Sequence, residues 1–233
     1  MIVGSGMMAR AFAEFGEDPK VLVFASGVSD SLETRPEAFA REKNLLEAAR
    51  ERHRQALLLY FGTCSADDPE QRSSAYVAHK LAMESFLEHA GGPWMVLRLP
   101  LAIGPGHRGK ALAQYLYERI SRGEPFEVWE HATRHPIDVA DVVKIARRFI
   151  ADPAHWNCRI NVALRAYPVL EFVRAMESIV GKPAHYRLLP KGRPYAIRCP
   201  ELEGLSGALG LDADEGYLER LLRKYYAQDS PAR

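Results

Sequence analysis

The sequence predicts an α/β protein built on a parallel sheet, and three features carry this prediction. Apolar segments with the length of buried strands recur at 1–3, 21–27, 56–63 and 94–99. Segments with helical spacing of apolar residues separate them, at 36–53 and from Ser73 or Ser74 onward. A glycine-containing turn follows the first apolar segment. With 233 residues, 47% of them hydrophobic, the chain is long enough to bury the core of one such domain.

The first element is the turn Gly4-Ser5-Gly6-Met7-Met8-Ala9, which has the form G-x-G-x-x-A. Its first glycine allows a tight bend, its second lets a pyrophosphate approach the backbone, and Ala9 permits close packing of the helix that runs to about Phe15. Phosphate oxygens would lie at the start of that helix. By itself the motif is equally compatible with an ordinary strand-to-helix turn.

Start and stop signals bound the later elements. Ser73 or Ser74 is a suitable N-cap for the next helix, and Gly91-Gly92-Pro93 ends it before the strand at 94–99. Asp138 and Asp141 have capping-box spacing before a helix that runs to about Ala151. Further strands are predicted at 126–129, 157–162 and 185–189, and further helices at 111–122, 168–180 and 215–226.

Two side chains on the helix after the strand at 56–63 suggest chemistry. Tyr76 and Lys80 are four residues apart, so they leave the same helix face one turn apart. A phenol titrates near pH ~10, and a neighbouring ammonium would favour its anion and make it a usable acid or base. A hydroxyl from Thr63 or Ser65 could polarise the same substrate oxygen. On an arbitrary helix, this spacing more often belongs to a solvated face.

The order of these features resembles one known family. The glycine turn, the strand ending in Thr63, Tyr76 with Lys80, and the segment 96–106 follow one another as in the extended short-chain dehydrogenase/reductases, the NAD-dependent epimerase/dehydratases of nucleotide sugars. The resemblance implies a Rossmann-like doubly wound parallel sheet with a small C-terminal substrate lobe. It also implies NAD or NADP as cofactor and a nucleotide sugar as substrate.

The resemblance implies a role for each site residue. Tyr76 would be the general acid/base, Lys80 would lower its pKa and hold the nicotinamide ribose, and Thr63, with Ser65 as the alternative, would hydrogen-bond the reacting oxygen. The segment 134–143 resembles the family's R-x-x-x-V-x-D-V element. The substrate diphosphate would be bound by Arg134 and, with weaker support, by Arg193 and Arg198. The cofactor would contact Gly4, Ser5, Gly6, Met7, Met8, Ala25, Ser26, Gly27, Lys80 and Pro100.

The chain also departs from the family near its beginning. Dinucleotide-binding sheets carry an acid about 20 residues after the glycines, and no residue here matches it convincingly. The segment 24–27 and the helix containing 44–49 instead resemble the family's fourth strand and fourth helix. The second strand, its helix and the third strand are therefore predicted to be missing, so the adenosine half of the cofactor would lose a wall. We expect one domain over 1–233, with a dinucleotide-binding core at 1–104 completed by 137–162, and a substrate lobe formed by 105–136 and 163–227.

Composition excludes several classes of function. Lys and Arg number 31 against 30 Asp and Glu, without a long block of either sign, so nucleic acid is not an implied partner. The arginines at 50–54 and 147–148 are predicted to lie on solvated helix faces. Three scattered cysteines indicate neither disulfides nor a zinc site, and Met1 leads into a strand without a basic leader, so we expect a cytoplasmic protein without a membrane span. His79 and His107 are expected to have no catalytic role, and the tail at 227–233 is expected to fray.

The residues after Thr63 narrow the reaction class. In the family's dehydratases an Asp-Glu pair follows the threonine, whereas Cys64-Ser65 stands here, so elimination is not expected. A 4-ketoreductase or an epimerase, acting in surface polysaccharide biosynthesis, is the expected function. The alternative is a non-catalytic protein of the same fold that binds a nucleotide or nucleotide sugar. Family members often dimerise through the helices that carry Asn44 and Tyr76, and Leu45, Leu81 and Phe86 could contribute.

Overall fold

The computed structural model of the protein describes residues 1–106, 111–211 and 213–227; the predictions for His107 and for the tail at 228–233 lie outside these ranges. The helices are α1 (Met7–Ala11), α2 (Pro36–Arg52), α3 (Ala75–His89), α4 (Leu112–Arg122), α5 (Val139–Ile150), α6 (Val169–Val180) and α7 (Tyr217–Tyr226). The strands are β1 (Ile2–Val3), β2 (Val21–Phe24), β3 (Leu57–Thr63), β4 (Trp94–Leu99), β5 (Leu101–Ile103), β6 (Phe126–Trp129), β7 (Thr133–Arg134), β8 (Pro136–Asp138), β9 (Cys158–Asn161), β10 (Tyr167–Pro168) and β11 (Tyr186–Leu189).

The central sheet has five parallel strands in the order β1-β2-β3-β4-β9. In a complete doubly wound sheet, the second and third strands lie beyond the first. Among the described residues, no strand pairs with the outer side of β1. The structure thus confirms the predicted parallel sheet and shows it truncated at the predicted edge.

Alternate residues of each central strand face opposite layers of the core. Val23 and Leu59 face a cluster that contains Phe12 and, from α5, Ile145 and Phe149. Leu22 and Leu58, together with residues of α2 and α3, form a second cluster, whose helical members are Leu46, Ala49, Met83 and Leu87. This alternation buries both faces of the sheet, as expected for a doubly wound fold.

A third cluster lies in the C-terminal part of the chain, where α4, α6 and α7 pack on β6. Its fully or nearly fully buried members include Leu116, Phe126, Phe172 and Leu222. β6 pairs in parallel with β11, as the two predicted short strands allow.

Asp138 has the predicted capping role, with one change. Its carboxylate accepts a hydrogen bond from Ala140 N at 2.8 Å, so it is the N-cap of α5. In a capping box, the backbone N–H of the N-cap residue donates to the side chain three residues later. Here the N–H of Asp138 donates instead to the Tyr217 hydroxyl, at 2.9 Å, and not to Asp141. The carboxylate of Asp138 also accepts from Lys224 and Tyr225, both at 2.7 Å, so the cap attaches α7 to the body of the protein.

Arg50 is an exception to the predicted solvated face at 50–54. Its side chain is buried, whereas Arg52 and Arg54 are exposed. The guanidinium donates to the carbonyl of Pro93 at 2.7 Å and to three carbonyls near the end of α2, those of His53, Arg54 and Ala56. The prediction was wrong for Arg50 because its partners are backbone carbonyls brought together by the fold.

Replacing Arg50 by alanine is expected to lower the free energy of unfolding by about 2–4 kcal/mol, since several buried carbonyls would lose a charged donor. Arg52→Ala, on the exposed face of the same helix, is the matched control and should change stability by less than about 0.5 kcal/mol. Urea denaturation of both variants measures the difference. Equal stabilities would contradict the structural role of Arg50.

In the described part of the chain, the structure contains no helix with the length and apolar character needed to span a membrane.

Candidate active site

The carboxyl ends of the central strands gather most of the predicted site residues at one edge of the sheet. Gly4 follows β1, the segment 25–27 follows β2, Thr63 ends β3 and Pro100 follows β4. Parallel strands place their carboxyl ends together, and ligands of open α/β sheets bind at this edge.

The glycine turn after β1 combines a position that requires glycine with open space beside its backbone. Gly4 has φ +127°, and a Cβ on it would lie 2.4 Å from the carbonyl oxygen of Ala25, so only glycine fits. A Cβ on Gly6 would meet nothing within 4 Å, so the space beside its backbone is open. Ala9 is buried against the core. The α-helix that follows ends at Ala11, and a 3₁₀ turn continues the predicted helix to Phe15.

Sequence reasoning missed a cation beside this turn. The Arg10 guanidinium donates from Nη1 to the carbonyl of Ser5 at 3.0 Å, and its Nη2 approaches Gly106. In the sequence, the position of Arg10 directly after the glycine motif could have indicated that it lies beside the turn. Its charge suits the anionic group that the open space beside Gly6 could hold.

Tyr76 lies beside Thr63, close enough for hydrogen bonding to the threonine side chain to lower the pKa of the phenol. Ser74 caps α3 by accepting from Val77 N at 3.2 Å, which places Tyr76 in the first turn of the helix, opposite the end of β3. Thr63 Oγ1 also accepts from Ser65 N at 3.1 Å. Ser65 therefore supports the threonine through its backbone.

The pKa of Tyr76 lies above its ordinary value in this structure. Burial raises it to about 12; the bond with Thr63 lowers it, while the charges of Glu42 and Asp30 raise it. The effect of Lys80 on this pKa stays a prediction; in this structure the Lys80 ammonium is bonded to other groups. Its Nζ lies 5.9 Å from the centroid of the Tyr76 ring and donates to Glu42 Oε1 at 3.0 Å and to the Phe61 carbonyl at 3.3 Å.

Glu42 is the second residue that sequence reasoning missed. Its side chain is fully buried and accepts from Val28 N at 2.6 Å and from the Tyr60 hydroxyl at 2.5 Å. Burial by itself would raise the pKa of this carboxyl, but hydrogen bonds from His79 and Tyr60 and the charge of Lys80 lower it to about 2. In the sequence, Glu42 is one of several charged residues on α2, and no local signal distinguishes it from a solvated acid.

His79 and Gly27 complete the surroundings of this carboxylate. His79 Nε2 lies 3.0 Å from Glu42 Oε2, and its imidazole stacks on Phe39 with ring centroids 4.6 Å apart. A Cβ on Gly27 would lie 2.7 Å from Lys80 Nζ and 2.8 Å from Glu42 Oε1. The predicted cofactor residue Gly27 therefore lies directly against the Lys80–Glu42 pair.

The three arginines predicted to bind substrate, Arg134, Arg193 and Arg198, lie on two different segments, and Arg193 is exposed. Arg134 is on β7, and its Nη1 donates to the Thr133 carbonyl at 2.7 Å. Arg198 is exposed, and its carbonyl accepts from Asn161, whose amide also bonds Asp67 after β3. Among the described residues, the guanidinium of neither Arg134 nor Arg198 pairs with a carboxylate. The contribution of the three arginines to a substrate site stays a prediction.

Solved structures share this fold at low sequence identity. The UDP-glucose 4-epimerase of Thermus thermophilus, in complex with NAD, is 19% identical with a TM-score of 0.70, over 95% of this chain and 81% of that one. WbmH of Bordetella bronchiseptica, in complex with NAD⁺, is 16% identical with a TM-score of 0.71, over 94% and 78%. RMD of Pseudomonas aeruginosa, complexed with NADPH, is 18% identical with a TM-score of 0.71, over 98% and 95%. These likenesses confirm the Rossmann-like fold.

A family model covers most of the chain. No curated protein sequence matches significantly. Residues 7–163, which include Tyr76, Lys80 and Thr63, match the model of the NAD dependent epimerase/dehydratase family. The family's dependence on NAD agrees with the predicted cofactor, NAD or NADP. The chain belongs to the NAD dependent epimerase/dehydratase family.

Proposed function

We propose that the protein is an NAD(P)-dependent reductase or epimerase that acts on a nucleotide-activated sugar, by 4-keto reduction or epimerisation. The observation that carries the proposal is the position of Tyr76 beside Thr63 at the carboxyl edge of the sheet, with Lys80 one turn further along α3. A role in surface polysaccharide biosynthesis and a cytoplasmic location are parts of the same proposal.

In this proposal Tyr76 gives a proton to, or takes one from, a sugar oxygen to which Thr63 also hydrogen-bonds. The glycine turn would hold the cofactor diphosphate, while 25–27, Lys80 and Pro100 would lie on its nicotinamide side. The nicotinamide supplies or accepts the hydride. Arg134 and Arg198 offer planar guanidinium groups for the substrate diphosphate.

The residue after Thr63 supports reduction or epimerisation over elimination. Cys64 is fully buried, and its thiol donates to the Arg98 carbonyl at 3.0 Å. Burial raises the pKa of the thiol far above neutral pH. Cys64 therefore offers no substitute for the acid/base pair of the family's dehydratases.

The alternative, a non-catalytic protein that binds a nucleotide or nucleotide sugar, also has structural support. The open side of β1 removes a wall from the adenosine half of a dinucleotide site. In addition, the Lys80 ammonium is paired with the Glu42 carboxylate, and burial raises the pKa of Tyr76 to about 12. A binding measurement separates the two functions.

A homodimer through α2 and α3 is part of the proposal. Leu45 on α2 and Leu81 on α3 are each 37% exposed, on adjacent helices. A groove between these helices is lined in part by Met83 and Phe86. A second copy would cover this apolar face.

Isothermal titration calorimetry of NAD, NADH, NADP and NADPH tests the proposed function. Micromolar affinity is expected for the wild type, with Gly6→Val abolishing it because a side chain would fill the open space beside the turn. Lys80→Ala should weaken binding, and Tyr76→Phe should leave it nearly unchanged. If no dinucleotide binds at millimolar concentration, the oxidoreductase proposal is wrong and the binding-protein alternative stands.

A further inference from the structure

A buried ion pair joins α2 to the helix that carries Tyr76. Lys80 and Glu42 are both almost fully buried, and Lys80 Nζ lies 3.0 Å from Glu42 Oε1. A buried ammonium without a counter-charge favours loss of its proton. Burial does lower the pKa of Lys80, and the Glu42 carboxylate opposes this by raising it.

Both oxygens of the Glu42 carboxylate are held by contacts with other parts of the fold. Oε1 accepts from Tyr60 and Lys80, and Oε2 accepts from Val28 N and contacts His79. These partners come from β3, α3 and the segment after β2, so the position of the charge is set by three parts of the fold. A carboxylate held in this way positions its cation accurately.

Lys80 retains a free donor in this arrangement. An ammonium has three N–H groups, and the hydrogen bonds within the described part of the chain use two of them, to Glu42 and to the Phe61 carbonyl. The absence of a side chain at Gly27 leaves only backbone on that side of the ammonium. The third N–H is thus available to a ligand hydroxyl at the edge of the sheet.

We propose that Glu42 is a positioning residue: its carboxylate keeps Lys80 charged and holds the ammonium beside Gly27, ready to donate to a cofactor hydroxyl. This inference rests on the proposed function for the identity of the ligand. The effect of Glu42 on the protonation of Lys80 can be tested without any ligand.

The test is a pH titration of the Lys80 side chain by ¹³C NMR, with its Cε signal assigned by Lys80→Arg. The titratable groups that face the Lys80–Glu42 pair are Tyr60 from β3 and, from α3, Tyr76, His79 and Glu84. Glu42→Gln removes the neighbouring charge and nearly preserves the shape, so the Lys80 midpoint should fall by about one pH unit or more, a tenfold change in its acid constant. An unchanged midpoint would overturn the inference.

Tyr60→Phe is the matched control, because it removes a hydrogen bond from the same oxygen of Glu42 and leaves the charge in place. In Tyr60→Phe, the titration midpoint of Lys80 should stay close to that of the wild type. A fall of this midpoint as large as in Glu42→Gln would overturn the inference. If Glu42→Gln does not fold, the double variant Glu42→Gln with Lys80→Met should regain folding, since no unpaired charge is left. Failure of the double variant to fold any better would count against the inference.

Dinucleotide binding links the ion pair to the proposed function. In Glu42→Gln, the affinity for the dinucleotide that binds the wild type best should fall about tenfold per pH unit above the Lys80 midpoint. A purely structural role would weaken binding equally at every pH, and that result would overturn the inference. Absence of dinucleotide binding to the wild type, with the NMR shift present, would overturn the proposed function alone.

Discussion

Tyr76→Phe is expected to lower the rate of sugar reduction or epimerisation by about 10²–10⁴-fold, the usual contribution of a positioned acid/base group. The phenylalanine ring keeps the packing of Tyr76 against Val28 and Val77, so folding and dinucleotide affinity should change little. Only the phenol hydroxyl beside Thr63 is lost. The measurement is steady-state turnover with a nucleotide-sugar ketone and the preferred reduced cofactor, together with calorimetry.

Three further variants show whether this effect is specific. Thr63→Val keeps the size of the side chain and removes the hydroxyl beside Tyr76, so it should also lower turnover. Ser65→Ala should have a small effect, because Ser65 contacts Thr63 through its backbone N–H. Tyr115→Phe is the control, because it removes a tyrosine hydroxyl that lies away from the site. Tyr115 is on α4 and is 36% exposed. Turnover above a tenth of wild type in Tyr76→Phe would remove the tyrosine from the mechanism.

Gly4→Ala is expected to destabilise the protein by about 3 kcal/mol or more, because the backbone of the glycine turn cannot accept a side chain there. The added Cβ would lie 2.4 Å from the Ala25 carbonyl oxygen, and φ +127° is unfavourable for any residue with a Cβ. Relief of this contact requires β1 and β2 to separate at their carboxyl ends. Urea or thermal unfolding measures the loss.

Gly6→Ala is the matched control, since its Cβ would meet nothing within 4 Å and its φ of −73° is allowed for alanine. Its stability should stay within about 1 kcal/mol of the wild type, so that any loss of dinucleotide binding in Gly6 variants reflects the site and not the fold. Equal melting of Gly4→Ala and the wild type would show that the turn adapts to a side chain and does not require glycine at this position.

Much of the fold was predictable because the signals are local. Apolar segments and stop signals place β2, β3, β4, α2 and α3 close to their observed bounds. Gly4, Gly27 and Thr63, which the family resemblance assigned to the site, share one edge of the sheet because parallel strands bring their carboxyl ends together. The missing strands were evident from the order of the segments, and the sheet order confirms this.

Other features depend on contacts between distant parts of the chain, which residue spacing does not encode. Glu42, Arg50 and Tyr217 each belong to helices whose polar residues are typical of solvated faces. In the tertiary structure, Glu42 instead compensates the charge of Lys80, Arg50 binds the carbonyl of Pro93, and Tyr217 completes the cap of α5. The sequence by itself determined the family and the parallel sheet. The electrostatic state of Lys80 was decided only by the packing of α2 against α3, because a buried charge depends on the partner that the fold places beside it.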